Sequence, residues 1–175
     1  MTDDSKVLDT LLRDPSVCEA TLFSAEIDGR AMPVVAVVPF AFASPPQVRS
    51  LALECGGYSE APAVILCKEM PRLPDGRLDT AHLMAAAKAR GTIFFYERAA
   101  TELESQLVTL VENVLGISPA GVTDDLLDLG LDSLRAVHLT SALERLHPGR
   151  ISLADLFELN TIRRLAAHIE GLDAR

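Results

Sequence analysis

The sequence of 175 residues contains no apolar run of the roughly 18 residues that a helix needs to cross a bilayer. Its first ten residues, MTDDSKVLDT, lack the basic and then apolar pattern of a secretory signal and are acidic instead. We therefore predict a cytoplasmic protein that does not associate with membranes.

Cysteines are few and poorly arranged for cross-linking. Cys18, Cys55 and Cys67 are an odd number, without CxxC spacing and without a histidine partner at zinc-ligand spacing. Neither a disulfide framework nor a metal site is predicted. We expect free, mostly buried thiols.

Basic residues are outnumbered, with 16 Lys and Arg against 25 Asp and Glu and a net charge of −9. This balance disfavours nucleic acid as a partner, because phosphate backbones select basic surfaces. Residues 1–99 carry a net charge of −3 and residues 100–175 carry −6. Partners of the second half are expected to present Lys and Arg to an acidic surface near Asp124, Asp125 and Asp128, unless those acids are only a solvated face.

The first half mixes strand-like and helical patterns. Aliphatic and β-branched residues predict three strands, Val17–Ile27, Met32–Val38 and Ala63–Cys67. Helical spacing predicts helices over Lys6–Arg13, Pro45–Glu54 and Ala81–Arg90, the last of them capped by Thr80 and stopped by Gly91. We expect an α+β domain over residues 1–95 with a three-stranded sheet. The ambiguous stretch 91–100 is interpreted as a docked connector.

Beyond Ala100 the apolar residues follow a purely helical period. Glu104 and Asp155 stand at capping-box spacing from two of the predicted helix starts. The pattern predicts an all-α domain of four helices over residues 101–175, the third of them short. The predicted N-caps are all Ser or Thr: Thr101, Ser133, Ser152 and Thr161.

Ser133, in the segment DLGLDSLRAV, stands where a long loop meets a predicted helix start. Free backbone N–H groups and the helix dipole favour an anion there, so a phosphodiester on this hydroxyl would be stabilised. Asp132 adds a carboxylate before the helix, and Leu134 with Val137 would form an apolar docking spot. Two plainer interpretations stay open, an ordinary N-cap worth about 1 kcal/mol and a simple interaction module. A hydrolase nucleophile is disfavoured, because no strand leads into the serine.

The motif LGLDSL, inside a helical pattern that ends LFELNTIRRLAAHI, resembles the carrier proteins of nonribosomal peptide and polyketide synthesis over residues 101–175. The resemblance implies that Ser133, flanked by Asp132 and Leu134, receives 4′-phosphopantetheine from coenzyme A and holds acyl or aminoacyl cargo as a thioester. It implies a carrier without catalytic activity. The subtype stays open, because Gly-Leu-Asp-Ser is closer to acyl and aryl carriers, whereas LFELNTIRRLA is similar to peptidyl carriers.

Residues 7–83 resemble the small C-terminal subdomain of adenylation enzymes, from VLDTLLRDPSVCEATLF through PVVAVVP to APAVILCKEMPRLPDGRLD. In that family the last segment usually ends Gly-Lys-x-Asp, and the lysine acts in adenylate formation. Here Gly76 and Asp79 keep their places, but Arg77 replaces the lysine. Because a guanidinium and an ammonium need different geometry, the resemblance implies a degenerate adenylation position. Alternatively, Arg77 is only an exposed turn residue.

The two resemblances imply a set of partners. The large adenylation subdomain has no counterpart in the sequence, so we expect a carrier loaded in trans by a separate adenylation enzyme or acyltransferase. A phosphopantetheinyl transferase would attach the arm, and condensation, ketosynthase or tailoring enzymes would act downstream. The alternative function is that of the small half of a split adenylation enzyme, which completes the active site of a separate core subunit.

Overall fold

The computed structural model describes residues 4–173, apart from residues 28, 41–42, 57 and 59. It divides into two compact units, Met1–Phe95 and Tyr96–Arg175. The described residues form a mixed sheet with three helices in the first unit and helices alone in the second. An α+β domain followed by a helical domain is therefore the correct fold class.

The first unit contains a sheet of four strands in sequence order: β1 (Val17–Ile27), β2 (Arg30–Pro39), β3 (Ala63–Leu66) and β4 (Ile93–Phe94). Strand β2 is antiparallel to β1 and parallel to β3, and β4 is antiparallel to β3. The prediction of a three-stranded sheet is wrong, because it lacks the edge strand β4. Ile93 pairs with Ile65 and Phe94 with Val64, in a stretch that we interpreted as a connector.

Three helices cover the sheet: α1 (Asp4–Arg13), α2 (Pro45–Gly56) and α3 (Thr80–Arg90). Successive residues of β2 point to opposite faces, so Val35 and Val37 pack in one apolar cluster with side chains of α1 and α2. Val34 and Ala36 pack in a second cluster with Leu83 of α3. Burial on both faces explains the continuous apolar run MPVVAVV.

The caps and thiols of the first unit differ in detail from the predictions. The N-cap of α3 is Asp79, whose carboxylate accepts a hydrogen bond from the backbone N–H of His82, and Thr80 is the first helical residue. The three cysteines are free, but Cys18 is exposed, and Cys55 and Cys67 are only half-buried. The expectation of mostly buried thiols is wrong. Burial still raises the pKa of the Cys67 thiol.

The second unit consists of α4 (Glu102–Leu115), α5 (Ser133–Leu146), α6 (Leu153–Leu159) and α7 (Ile162–Asp173). The capping box predicted for α6 is present, since Ser152 and Asp155 exchange hydrogen bonds. At α4 only half of the predicted box supplies the cap: Thr101 Oγ1 accepts from the N–H of Glu104, whereas the Glu104 carboxylate accepts from the N–H of Ala100. One apolar cluster joins the four helices through buried aliphatic side chains, among them Leu107, Val111, Leu139, Leu143, Leu156, Ile162 and Leu165.

None of the helices in the described part of the chain combines the length and the hydropathy that a bilayer crossing demands.

Candidate functional site

The loop that leads to α5 is folded onto the core of the second unit. Leu126, Leu129 and Leu131 are buried in its apolar cluster. The N–H of Leu131 donates to the carbonyl of Leu126 at 2.8 Å, and the N–H of Leu126 donates to the carbonyl of Asn160 at 2.8 Å. These contacts hold the segment before the serine in one place. Sequence reasoning missed this anchor, although the leucine spacing in DDLLDLGLDS was a usable signal.

The acids of this loop serve its own structure. Asp124 is buried, and its Oδ2 accepts a hydrogen bond of 2.7 Å from the N–H of Gly121. Asp125 accepts from the N–H of Leu127 at 2.8 Å and from the side-chain amide of Asn160 at 2.7 Å. The expectation that Asp124 belongs to an exposed acidic surface is therefore wrong, because the loop uses its carboxylate as a backbone acceptor.

A tight turn connects this loop to α5. Gly130 has a φ of 95°, in the region that favours glycine, and the N–H of Gly130 donates to the carbonyl of Leu127 at 2.9 Å. Arg135 reaches back from the helix, and its Nη1 donates to the carbonyl of Gly130 at 2.9 Å. The turn is thus bonded to the loop on one side and to the helix on the other.

Asp132, rather than Ser133, is the N-cap of α5. Its backbone is extended, and its Oδ1 accepts a hydrogen bond of 2.8 Å from the N–H of Arg135. Ser133 is the first residue of the helix, so the interpretation of this serine as an ordinary N-cap is wrong. Aspartate and serine both cap helices well, and the structure gives the position to the aspartate.

The Ser133 side chain is exposed, and within the described residues its hydroxyl has no hydrogen-bond partner. The other hydroxyls of α5 are engaged, since Thr140 donates to the carbonyl of Ala136 and Ser141 donates to that of Val137, both at 2.8 Å. Ser133 is thus a hydroxyl at a helix start that is open to an incoming group. The N–H groups at this end suit a bound phosphate.

Apolar side chains next to Ser133 face solvent. Leu134 is 67% exposed and Val137 is 49% exposed, as expected for the flank of the helix that lies outside the core. Large apolar side chains elsewhere in the same unit are also exposed: Leu127, Leu146, Leu153 and Phe157. Leu134 and Val137 are three residues apart in α5 and therefore share one face beside Ser133, where apolar surface suits contact with another protein.

Arg77 lies in an exposed turn of the first unit. Its Nε donates to Asp75 Oδ2 at 2.7 Å, and its backbone N–H donates to Asp75 Oδ1 at 3.0 Å. These bonds, from the backbone N–H first and then from the side chain, lower the pKa of the Asp75 carboxyl. The carbonyl of Arg77 accepts from the N–H of Leu73 at 2.8 Å. In this structure the Arg77 guanidinium therefore bonds within its own turn.

Comparisons with known proteins agree with the two halves described above. A family model described as "Phosphopantetheine attachment site" matches residues 105–169. Tyrocidine synthase 2 of Brevibacillus parabrevis is 31% identical over 163 residues, which are 92% of this chain and 4% of that synthase. The chain thus spans only a small part of this curated relative, but the match includes most of the first half.

Two solved structures are similar over different lengths. The McyG A-PCP complexed with phenylalanyl-adenylate is 19% identical, with a TM-score of 0.40, over 94% of this chain and 30% of that one. A peptidyl carrier protein complex with the phosphopantetheine transferase Sfp and coenzyme A is 29% identical, with a TM-score of 0.42, over 43% of this chain and 99% of that one.

The carrier domain binds its cofactor covalently and is not catalytic in itself. Its cofactor is 4′-phosphopantetheine, and the exposed hydroxyl at the start of α5 fits such a group. The sequence matches, rather than the structural similarities, support the assignment of the family. We conclude that this chain contains a peptidyl carrier domain of the phosphopantetheine attachment family over residues 105–169, preceded by an adenylation-like region.

Proposed function

We propose that Ser133 is the attachment residue for 4′-phosphopantetheine and that the chain carries acyl or aminoacyl groups as thioesters in natural-product biosynthesis. The observation that carries the proposal is the exposed Ser133 hydroxyl, which the cap of α5 does not use. Asp132 leaves that hydroxyl available by taking the N-cap position. Leu134 would contact the enzymes that act on the arm, because it is apolar and exposed beside the serine.

Attachment is tested by intact mass. The chain is incubated with coenzyme A and a broad-specificity phosphopantetheinyl transferase, and we expect a gain of roughly 340 Da, the mass of the arm. Ser133→Ala should show no gain, whereas Ser141→Ala, which removes a bonded hydroxyl of the same helix, should be modified as the wild type is. A chain that gains no mass, or a gain that persists in Ser133→Ala, would overturn the proposal.

We further propose that the carrier is loaded in trans, by a separate adenylation enzyme or acyltransferase. Arg77 supports this proposal, because its guanidinium bonds Asp75 within an exposed turn. It stands at the position where adenylation enzymes usually have the lysine of Gly-Lys-x-Asp. Downstream condensation, ketosynthase or tailoring enzymes would then receive the cargo. The cytoplasmic location stays a prediction.

The alternative, the small half of a split adenylation enzyme, is distinguished by ATP–pyrophosphate exchange. Candidate core proteins are assayed alone, with the whole chain, and with residues 100–175. Loading in trans predicts that exchange does not depend on residues 1–99 and that Arg77→Ala is without effect. Exchange that requires residues 1–99 and is lost in Arg77→Ala would favour the split enzyme instead.

A further inference from the structure

Arg135, a residue of α5, bonds back across Ser133 to the turn that precedes the helix. Arg135 Nη1 donates to the carbonyl of Gly130 at 2.9 Å, and the backbone N–H of Arg135 donates to Asp132 Oδ1 at 2.8 Å. One residue therefore bonds the turn at two points, the carbonyl where it begins and the carboxylate that caps the helix. Ser133 lies within the segment that both bonds span.

Gly130 and Arg135 fit each other sterically as well. A Cβ atom at position 130 would lie 3.0 Å from Arg135 Nη1, closer than side chains ordinarily approach. The guanidinium therefore occupies the space that a larger residue would need. The φ of 95° at Gly130 is also one that other residues rarely adopt. The backbone of this turn thus favours glycine at position 130, and the Arg135 guanidinium packs against its open side.

The two bonds differ in what they constrain. The Asp132 cap orders the backbone of the first helical turn, as any N-cap does. The bond to Gly130 instead joins the helix to the loop across Ser133, and the loop is fixed on the core through buried Leu129 and Leu131. A planar guanidinium presents its N–H groups in a fixed direction, so this bond resists rotation of the turn against the helix.

We propose that Arg135 is a positioning residue for the attachment of phosphopantetheine to Ser133. The inference rests on the proposed function of Ser133. A transferase must bring the serine hydroxyl into line with the phosphorus of its donor, and a hydroxyl on a preordered turn spends more time in that position. Arg135 contributes by joining Gly130 to the helix and does not itself contact the reacting atoms.

The test compares the kinetics of attachment in matched variants of the whole chain. Arg135→Ala should lower kcat about three- to tenfold, the effect of one lost hydrogen bond, with little change in KM. Arg135→Lys keeps a donor for the Gly130 carbonyl but loses the planar guanidinium, so it should restore only part of kcat. Arg145→Ala removes the same charge from the exposed far end of α5 and should behave as the wild type does.

A second readout follows the turn itself. Amide hydrogen exchange at residues 130–133 should become faster in Arg135→Ala, while the buried Leu139 in the middle of α5 should keep its protection. Unchanged kcat, unchanged exchange in the turn, or a rise in KM alone would overturn the positioning role. The last result would indicate that Arg135 contacts the transferase directly.

The outcomes also separate this inference from the function on which it rests. A wild-type chain that gains no arm overturns the proposed function of Ser133, and the role of Arg135 with it. A wild-type chain that is modified, together with an Arg135→Ala chain that is modified at the same rate, overturns only the role of Arg135.

Discussion

Glu104 is a buried acid that connects the start of α4 to α7. It is 5% exposed, its Oε2 accepts a hydrogen bond of 2.7 Å from the N–H of Ala100, and its Oε1 accepts one of 3.2 Å from Arg163 Nε. Arg163 also bonds the exposed Glu97 through Nη1 at 2.6 Å. One arginine thus ties α7 to a buried and to an exposed carboxylate.

Replacement of Glu104 by Gln should lower the free energy of unfolding of the second unit by about 1–2 kcal/mol at pH 7. Gln keeps the shape, but its single amide oxygen can accept only one of the two hydrogen bonds, and its NH2 group faces the other donor, which is left unsatisfied. Glu97→Gln is the matched control on the same arginine. It should cost at most about 0.5 kcal/mol, because that pair is exposed to solvent.

The effect should depend on pH in a defined direction. The bond from the Ala100 N–H, and next the bond from Arg163, lower the pKa of Glu104 in the folded protein. Its charge therefore stabilises the fold fully above the ordinary glutamate pKa of about 4.3, and this stabilisation is lost as the pH falls below that value. The difference between wild type and Glu104→Gln should shrink accordingly.

Urea unfolding, followed at the amide NMR signals of Leu139 and Leu143, measures the second unit within the whole chain. Because both signals come from the core of the second unit, they report the unfolding of that unit alone. The two units then need not be treated as a single two-state transition. Equal stability of wild type and Glu104→Gln at pH 7 would refute the reasoning. A loss that stays constant from pH 7 to pH 3 would show that the charge is not its cause.

Two further predictions concern the stability of the same unit. Leu139→Ala should lower the free energy of unfolding by about 3 kcal/mol in urea titrations, because this side chain is fully buried. Leu134→Ala, at an exposed position, should change it by less than about 0.5 kcal/mol. Equal losses in the two variants would contradict the packing. Burial, and then the charges of Asp125 and Asp124, raise the pKa of Asp128, so its charge destabilises the folded state above the ordinary aspartate pKa. Asp128→Asn should therefore be more stable than wild type in urea at pH 7 but not at pH 3, and lower stability at pH 7 would count against this assignment.

Much of the fold could be predicted because its pattern is local. Strand β1 has the predicted bounds. The bounds of β2 and β3 agree with the prediction to within two residues at each end, since strands buried on both faces are continuous apolar runs. Strand β4 could not be predicted in this way. It has two residues, too few for a period, and it exists through pairing with Val64 and Ile65, which are distant in sequence.

The helix starts show a different limit. At both Asp79-Thr80 and Asp132-Ser133 two good capping residues are adjacent, and the prediction chose the hydroxyl where the structure uses the carboxylate. Propensities for these residue types are similar, so the backbone conformation decides. At α5 this difference of one residue matters for function, because it leaves the Ser133 hydroxyl unbonded within the described chain.

The side-chain contacts of the second unit cannot be predicted from sequence patterns. Arg163 and Glu104 are far apart in the chain, and no spacing rule joins them. The bond from Arg135 to Gly130 is local, but it depends on a φ of 95° that places the carbonyl within reach. The motif LGLDSL therefore indicates where the site is, and the structure adds how the turn is held.

The most direct test of the account is to locate the arm by peptide mapping after modification with coenzyme A and a phosphopantetheinyl transferase. Several hydroxyls of the second unit are bonded, for example Ser152 to Asp155 at 2.6 Å and Thr140 to Ala136 at 2.8 Å, whereas that of Ser133 is open within the described residues. We predict the whole mass gain on the peptide that contains Ser133. A gain on any other peptide, or a chain that remains unmodified, would contradict the central claim.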